Sequence, residues 1–304
     1  MNNTSSFNHR SSADDVLRDQ NLSGQVIIVT GANTGIGYET ARSLAATGAT
    51  VVATCRTAEK AAATKQRLMQ AHPESTVEAA VMDLASLASV SDFCKQLPHS
   101  KIDIIICNAG LVAPEYGETS EGFEQTVGVC HVGHFLLVKS LLPKLFSAPA
   151  PRVIMVSSES HRTPSRLDFD ALPYPVDRFR TMKAYGQAKL CNALMAVELH
   201  RRFADQGLTA CYLHPGTMVT TEIGRDSALV RIAMLLVRPF TKTANQGAAT
   251  SVFCATWGER SELGGNYFSH CGKAKPSAET ANAEAATRLW ELSERWLEEK
   301  GFGG

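Results

Sequence analysis

Neither sign of charge is in excess: 30 Lys and Arg balance 30 Asp and Glu across 304 residues. That balance leaves no basic footprint for a nucleic-acid backbone. No Cys-x-x-Cys pair occurs, and the 8 cysteines stand singly, several of them inside apolar runs, as Cys107 and Cys211 do. Thiols so placed read as buried and reduced, in a cytoplasmic protein, and not as a disulfide framework. Also missing is an apolar stretch of the roughly 20 residues that a membrane-spanning helix needs. The nearest run, Ala228–Val237, is interrupted by Arg231. Residues 1–22 are polar, carry no apolar core of signal-peptide length, and read as a flexible tail before one domain over residues 23–304.

What the chain does contain is an alternation. Short β-branched runs (Val26–Thr30, Thr50–Thr54, Val77–Met82, Ile102–Cys107, Arg152–Ser157, Leu208–Leu213 and Asn266–Phe268) are separated by longer helical patterns. The helical patterns are Ile36–Thr47, Ala58–Ala71, Leu87–Leu97, Phe123–Phe146, Ala184–Phe203, Ala244–Trp257 and Glu279–Glu299. The strand runs are continuously apolar, as strands covered on both faces are. Such repetition predicts a single-domain α/β fold: a Rossmann-type, doubly wound parallel sheet of about seven strands with helices on both faces. Ligands of these sheets bind beyond the carboxyl ends of the strands. The segments directly after the runs are therefore the candidate site.

The first of them is Gly31-Ala-Asn-Thr-Gly35-Ile-Gly37, set between a strand and a helix. Gly31 allows a tight turn, Gly35 lets backbone approach a pyrophosphate, and Gly37 lets the helix pack on the sheet. Asn33, Thr34 and Ile36 belong to the same dinucleotide loop, whose helix N-terminus faces the phosphates. A site for NAD usually carries an acid about 20 residues further on. This chain has Cys55-Arg56 there, and a guanidinium fork suits a 2′-phosphate, so NADP(H) is expected. Asp83-Leu84 follows the third run, where Asp83 either accepts from the adenine amino group or caps the next helix. Asn108-Ala109-Gly110, Ser157-Ser158 and Pro215-Gly216 follow the fourth, fifth and sixth runs.

Tyr185 and Lys189 stand four residues apart on a helical pattern, so phenol and ammonium share one face. A positive charge about 5 Å away, at an effective dielectric of about 20, favours phenolate by roughly 3 kcal/mol. A tyrosine poised in this way exchanges protons with an alcohol or carbonyl.

Together and in this order, Thr30–Gly37, Asp83-Leu84, Asn108–Gly110, Val156–Ser158, Tyr185-x-x-x-Lys189 and Pro215-Gly216 resemble the short-chain dehydrogenase/reductase family, over roughly residues 22 to 270. Ser157–Arg162, Lys189–Asn192, Glu198–Arg202, Arg238–Lys242 and Gln246–Thr250 resemble more closely the dehydrogenase domains of the WW-domain-containing oxidoreductase group and, more loosely, the retinol dehydrogenases. The resemblance implies that Tyr185 is the general acid/base and that Lys189 tunes it and holds the nicotinamide ribose. Ser158 would bond the substrate oxygen, with Ser157 the alternative. Asn108, Ala109 and Gly110 would wall the cofactor pocket, Pro215 and Gly216 would shape the nicotinamide turn, and Thr220 (or Thr221) would meet the carboxamide.

One position departs from the family pattern. Cys130 stands where relatives usually carry an asparagine that supports a proton-relaying water, and a thiol is a weak donor and acceptor. A backbone carbonyl there could do part of the job, so reduced activity is expected. His131 and His134, three residues apart, lack a third ligand and read as core or capping histidines with no metal. The aliphatic segment Ala228–Phe240 reads as a lid over an apolar substrate, and the resemblance implies a lipophilic alcohol or carbonyl of steroid or retinoid type. Arg231, Arg238 and Lys242 give it a basic amphipathic look that would also suit peripheral contact with an anionic membrane. Relatives pair subunits through helices equivalent to Phe123–Phe146 and Ala184–Phe203, so a homodimer is one arrangement the resemblance allows. A non-enzymatic rival, an NADP-binding sensor or scaffold, rests on Cys130.

Overall fold

A computed structural model of the chain describes residues 7–216, 242–257 and 260–303. Among them one sheet of eight strands runs in the order β3-β2-β1-β4-β5-β6-β7-β8. The strands are β1 Val26–Thr30, β2 Thr50–Cys55, β3 Thr76–Val81, β4 Ile104–Cys107, β5 Arg152–Val156, β6 Thr209–His214, β7 Tyr267–Ser269 and β8 Gly272–Lys273. Every neighbouring pair is parallel except β7 with β8. The parallel sheet is as expected. The eighth strand was not foreseen, because two residues carry no periodicity to read. The order reverses between β1 and β4, and at such a switch point a crevice opens beyond the strand ends.

Period-two alternation divides the core into two layers. Val26 and Ile28 point into one layer and Ile27 and Val29 into the other, all of them buried. The first layer is covered by α4 (Leu87–Gln96), α5 (Gln125–Phe146) and α6 (Thr181–Phe203). The helix α9, Ala283–Glu299, completes it. The second layer is covered by α1 (Ala13–Leu17), α2 (Gly35–Ala45) and α7 (Ala244–Thr256). The helix α3, Ala58–Ala71, adds its buried Leu68 to that side, and α8 is the short Arg260–Leu263.

Two expectations are corrected. The part of the expected tail that is described, residues 7–22, packs on the domain. A capping box opens α1, whose Ala13, Val16 and Leu17 are buried. The Trp257 indole donates to Val16 O at 2.9 Å, and Arg42 and Asn245 both bond Asp14 at 2.7 Å. Second, α5 is long and apolar enough to cross a membrane, although 78% of its apolar window is buried inside the fold, as in a core helix. The helix α9 lies over α5 and α6. Phe135 meets Trp290 edge-on at 4.8 Å, His131 bonds Ser293 at 2.8 Å and Lys139 pairs with Glu294 at 2.8 Å. The chain's own last long helix thus covers part of α5.

Candidate active site

The glycine turn has the backbone that its residues call for. Gly31 and Gly35 adopt φ of +65° and +57°, where glycine escapes the Cβ penalty. A Cβ on Gly31 would meet Ala109 at 2.9 Å, and one on Gly37 would meet Gly31 O at 2.3 Å and Asn108 Nδ2 at 2.4 Å. Bare backbone at these positions brings β1, α2 and the loop after β4 into close approach. Asn108 ties them together: its side chain donates to Thr30 O at 2.8 Å and its N–H to Thr30 Oγ1 at 2.9 Å. Thr34 precedes α2 with no side-chain cap hydrogen bond, so the first N–H groups of that 11-residue helix remain for a ligand. The cradle fits a dinucleotide pyrophosphate.

Beside it, Ala32 N donates to Thr54 O at 3.0 Å, which sets the turn against the end of β2 and the exposed Arg56. Asp83 does not cap α4; Ser86 does, accepting from Ser89 N at 3.3 Å. One Asp83 oxygen accepts from Ala85 N at 2.9 Å, while Leu84 is buried beneath Gly133.

The helix α6 is docked on the end of β5 by two hydrogen bonds. Lys189 Nζ donates to Val156 O at 3.0 Å, and the Ser157 hydroxyl donates to Lys189 O at 2.7 Å. Ser157, 2% exposed, is therefore committed to holding the helix. Ser158 is half-buried; its hydroxyl accepts from Ser160 N at 3.2 Å and donates a 3.3 Å bond to Ser160 Oγ. The buried Lys189 ammonium lies 5.6 Å from the Tyr185 ring centroid, and the half-buried ring reaches solvent. Lys189 also lies beside Gly110, where an added Cβ would stand 3.1 Å from Lys189 Nζ and 3.3 Å from Cys130 Sγ, and Ser157-Ser158 directly follow the end of β5 to which that lysine is bonded.

Cys130 sits in a π-turn, Gly128–Val132, that widens α5; Gly133 N bonds back to Gly128 O. Such turns recur at functional sites. Its carbonyl is already occupied. His134 Nδ1 lies 2.9 Å from Cys130 O and must carry the proton. The carboxamide of Asn192, turned so that its oxygen no longer faces only acceptors, donates to the same carbonyl at 2.7 Å. With both lone pairs taken, that carbonyl does not offer the water site that was expected to offset the missing asparagine. His134 Nε2, left as an acceptor, takes the Thr30 hydroxyl at 2.9 Å, because Thr30 Oγ1 itself accepts from Asn108 N and Ala109 N. Burial holds His134 neutral, its pKa depressed to about 4, and does the same to His131, at about 3. Both are core side chains, as the sequence reading has it.

Comparison with known proteins agrees with this geometry. The short chain dehydrogenase family model matches residues 25–168. The WW domain-containing oxidoreductase of Danio rerio is 43% identical over 303 residues, 97% of this chain and 73% of that protein. Retinol dehydrogenase 12 of Mus musculus is 38% identical over 90% of this chain and 86% of its own length. The chain belongs to the short-chain dehydrogenase/reductase family. As such it is an oxidoreductase served by a nicotinamide cofactor. A crystal structure of an uncharacterized Mycobacterium paratuberculosis protein, 32% identical, superposes with a TM-score of 0.75 over 92% of this chain. A short chain dehydrogenase from Escherichia coli solved with NADPH, 21% identical at a TM-score of 0.64, shares the fold.

Within this short-chain dehydrogenase/reductase, Thr220, Thr221 and the lid segment with Arg231 and Arg238 lie outside the described residues. Pro215 and Gly216 close β6, Gly216 at φ +114°. Lys242 Nζ lies 3.1 Å from His270 Nδ1 in an exposed contact, and its side chain runs beside Gly216. Two further residues lie at this edge, and only the second of them escaped the sequence reading. His214 is 6% exposed, accepts from Glu159 N at 3.3 Å and is pushed by burial to about 4. Arg67 reaches the glycine turn from α3. His214 opens the His214-Pro-Gly216 segment expected at this edge after the sixth run, whereas Arg67 sits in no recognisable motif.

Proposed function

We propose that the chain interconverts a lipophilic alcohol and its carbonyl, steroid- or retinoid-like, with NADP(H) as the redox partner. The observation that carries this reading is the unequal fate of the two serines. Ser157 is consumed by Lys189 O, while the half-buried Ser158 is engaged only by its near neighbour Ser160, through bonds of 3.2 and 3.3 Å. In the direction of reduction, the Ser158 hydroxyl donates to the substrate carbonyl oxygen as negative charge develops there. The Tyr185 phenol delivers its proton to that oxygen, and the Lys189 ammonium stabilises the phenolate left behind. The nicotinamide, when bound, supplies or accepts the hydride. Gly31, Asn33, Thr34, Gly35, Ile36 and Gly37 would hold its pyrophosphate, Arg56 the 2′-phosphate, and Asp83 and Leu84 the adenine. Asn108, Ala109 and Gly110 would flank the nicotinamide half with Lys189, Pro215, Gly216 and Thr220. The names of retinol dehydrogenases 11 and 12 among the relatives support the lipophilic substrate.

The test is oxidation of NADPH and NADH against a panel of lipophilic aldehydes and ketones, by the full chain and by Arg56→Ala. Turnover with NADPH, and a KM rise in the variant confined to NADPH, is expected. Equal effects on both cofactors would defeat the assignment of Arg56.

The doubly occupied Cys130 carbonyl favours a second reading, a nucleotide-binding protein that turns over slowly and serves as a sensor or scaffold. Tight NADPH binding with no turnover on any substrate of the panel would select it.

A further inference from the structure

Arg67 lies 11 residues beyond Arg56 and belongs to no motif, yet it touches the glycine turn. Its Nη1 donates to Asn33 O at 3.1 Å. The guanidinium carbon stands 3.9 Å above the Tyr38 ring on α2, and the Tyr38 hydroxyl returns a long, 3.5 Å bond to Arg67 O. Stacking fixes the plane of the fork, and the Asn33 bond spends one of its five N–H donors. The remainder stay at an exposed position on the rim of the cradle.

What would lie between these groups follows from the sheet. The glycine turn is laced to the end of β2 by Ala32 N donating to Thr54 O at 3.0 Å, and Arg56 follows two residues later. In folds of this kind the end of the second strand meets the adenosine ribose, where an acid would accept its 2′-hydroxyl. Here the strand ends in Cys55, followed by Arg56. Two arginines therefore flank this region: Arg56 directly follows the strand end, and the Arg67 guanidinium reaches the turn from the crossover helix at Asn33. A dianionic 2′-phosphate offers oxygens enough for both forks, while a bare ribose hydroxyl does not.

We propose that Arg67 is a second ligand of the 2′-phosphate, held ready by its stack on Tyr38, and that it sets the preference for NADP(H) jointly with Arg56. This rests on the dinucleotide reading above. Titration calorimetry with 2′,5′-ADP and with 5′-ADP tests it on the full chain without any catalysis. Wild type is expected to bind 2′,5′-ADP more tightly. Arg67→Gln should weaken 2′,5′-ADP about tenfold or more and leave 5′-ADP within about twofold, as loss of one charge-assisted contact implies. Tyr38→Leu should reproduce part of that loss, and Tyr38→Phe, which keeps the stack, should restore wild-type behaviour. Equal weakening of both nucleotides by Arg67→Gln would mean that Arg67 only braces the turn through Asn33, and would overturn the proposal. No weakening of either would overturn it too. Equal wild-type affinity for the two nucleotides would remove the 2′-phosphate site while leaving the dinucleotide reading intact. A chain that binds neither would fail both.

Discussion

Acid should loosen this protein through His134, by an amount that follows from its surroundings. The ring is fully buried between the Thr30 hydroxyl and Cys130 O and is held neutral, its pKa near 4. Burial is the main cause and the nearby Lys189 adds to it, against the bond to Cys130 O. In the unfolded chain a histidine titrates near 6.5. Between those values the unfolded state binds more protons, so the stability that His134 contributes is complete above about pH 6.5. It is lost as pH falls toward 4. Linkage gives a loss of about 2 kcal/mol between pH 7.5 and 5.0. His131, also fully buried and pushed to about 3, should lose nearly the same, since at pH 5.0 the unfolded-state proton sets the cost. Urea unfolding at the two pH values is the assay, on wild type and on His134→Gln, whose amide carries donor and acceptor but does not titrate. The variant should lose about 2 kcal/mol less than wild type over the interval. His131→Gln provides an independent second case. Identical pH dependence in all three proteins would refute the assignment of these rings as neutral struts.

Three further outcomes follow from the site. Ser158→Ala should lower kcat by about 100-fold or more with an unchanged melting temperature. Ser157→Ala should instead cost about 1 kcal/mol of stability by breaking its bond to Lys189 O; the reverse pattern would exchange their roles. Gly37→Ala drives a Cβ to 2.3 Å from Gly31 O, so calorimetry should find 5′-ADP binding lost and a melt should find the fold weakened by roughly 1–3 kcal/mol. Unchanged binding would mean that the cradle is not the nucleotide site. Cys130→Asn should raise turnover with NADPH affinity unaltered, and an unchanged kcat would mean that the thiol costs the reaction nothing.

How far the molecule could be read in advance depended on range along the chain. Gly31–Gly37 and Tyr185–Lys189 are local: turn and helix geometry alone place their groups, and the structure puts both at the edge where strand-end logic sends them. The strand β4 starts at Ile104 and not at Ile102, because Ile102 N is drawn to Lys144 O at the end of α5. No local pattern carries that information. The same applies to α1, whose polar surroundings hide the three side chains it buries against α7, and to the choice between Ser157 and Ser158. What separates the two serines is a carbonyl 32 residues away, which takes the Ser157 hydroxyl. Asp83 was open between two roles until Ser86 proved to be the cap. Arg67 and the Thr30–His134–Cys130 chain are long-range contacts between residues ordinary in their own segments.

The most direct test of the whole account is NADPH-dependent reduction of a responsive lipophilic aldehyde by wild type and by Tyr185→Phe. The account predicts steady turnover by wild type and a fall of at least about 100-fold in the variant, with NADPH still bound at wild-type affinity. A Tyr185→Phe protein that reduces the aldehyde as fast as wild type would contradict it.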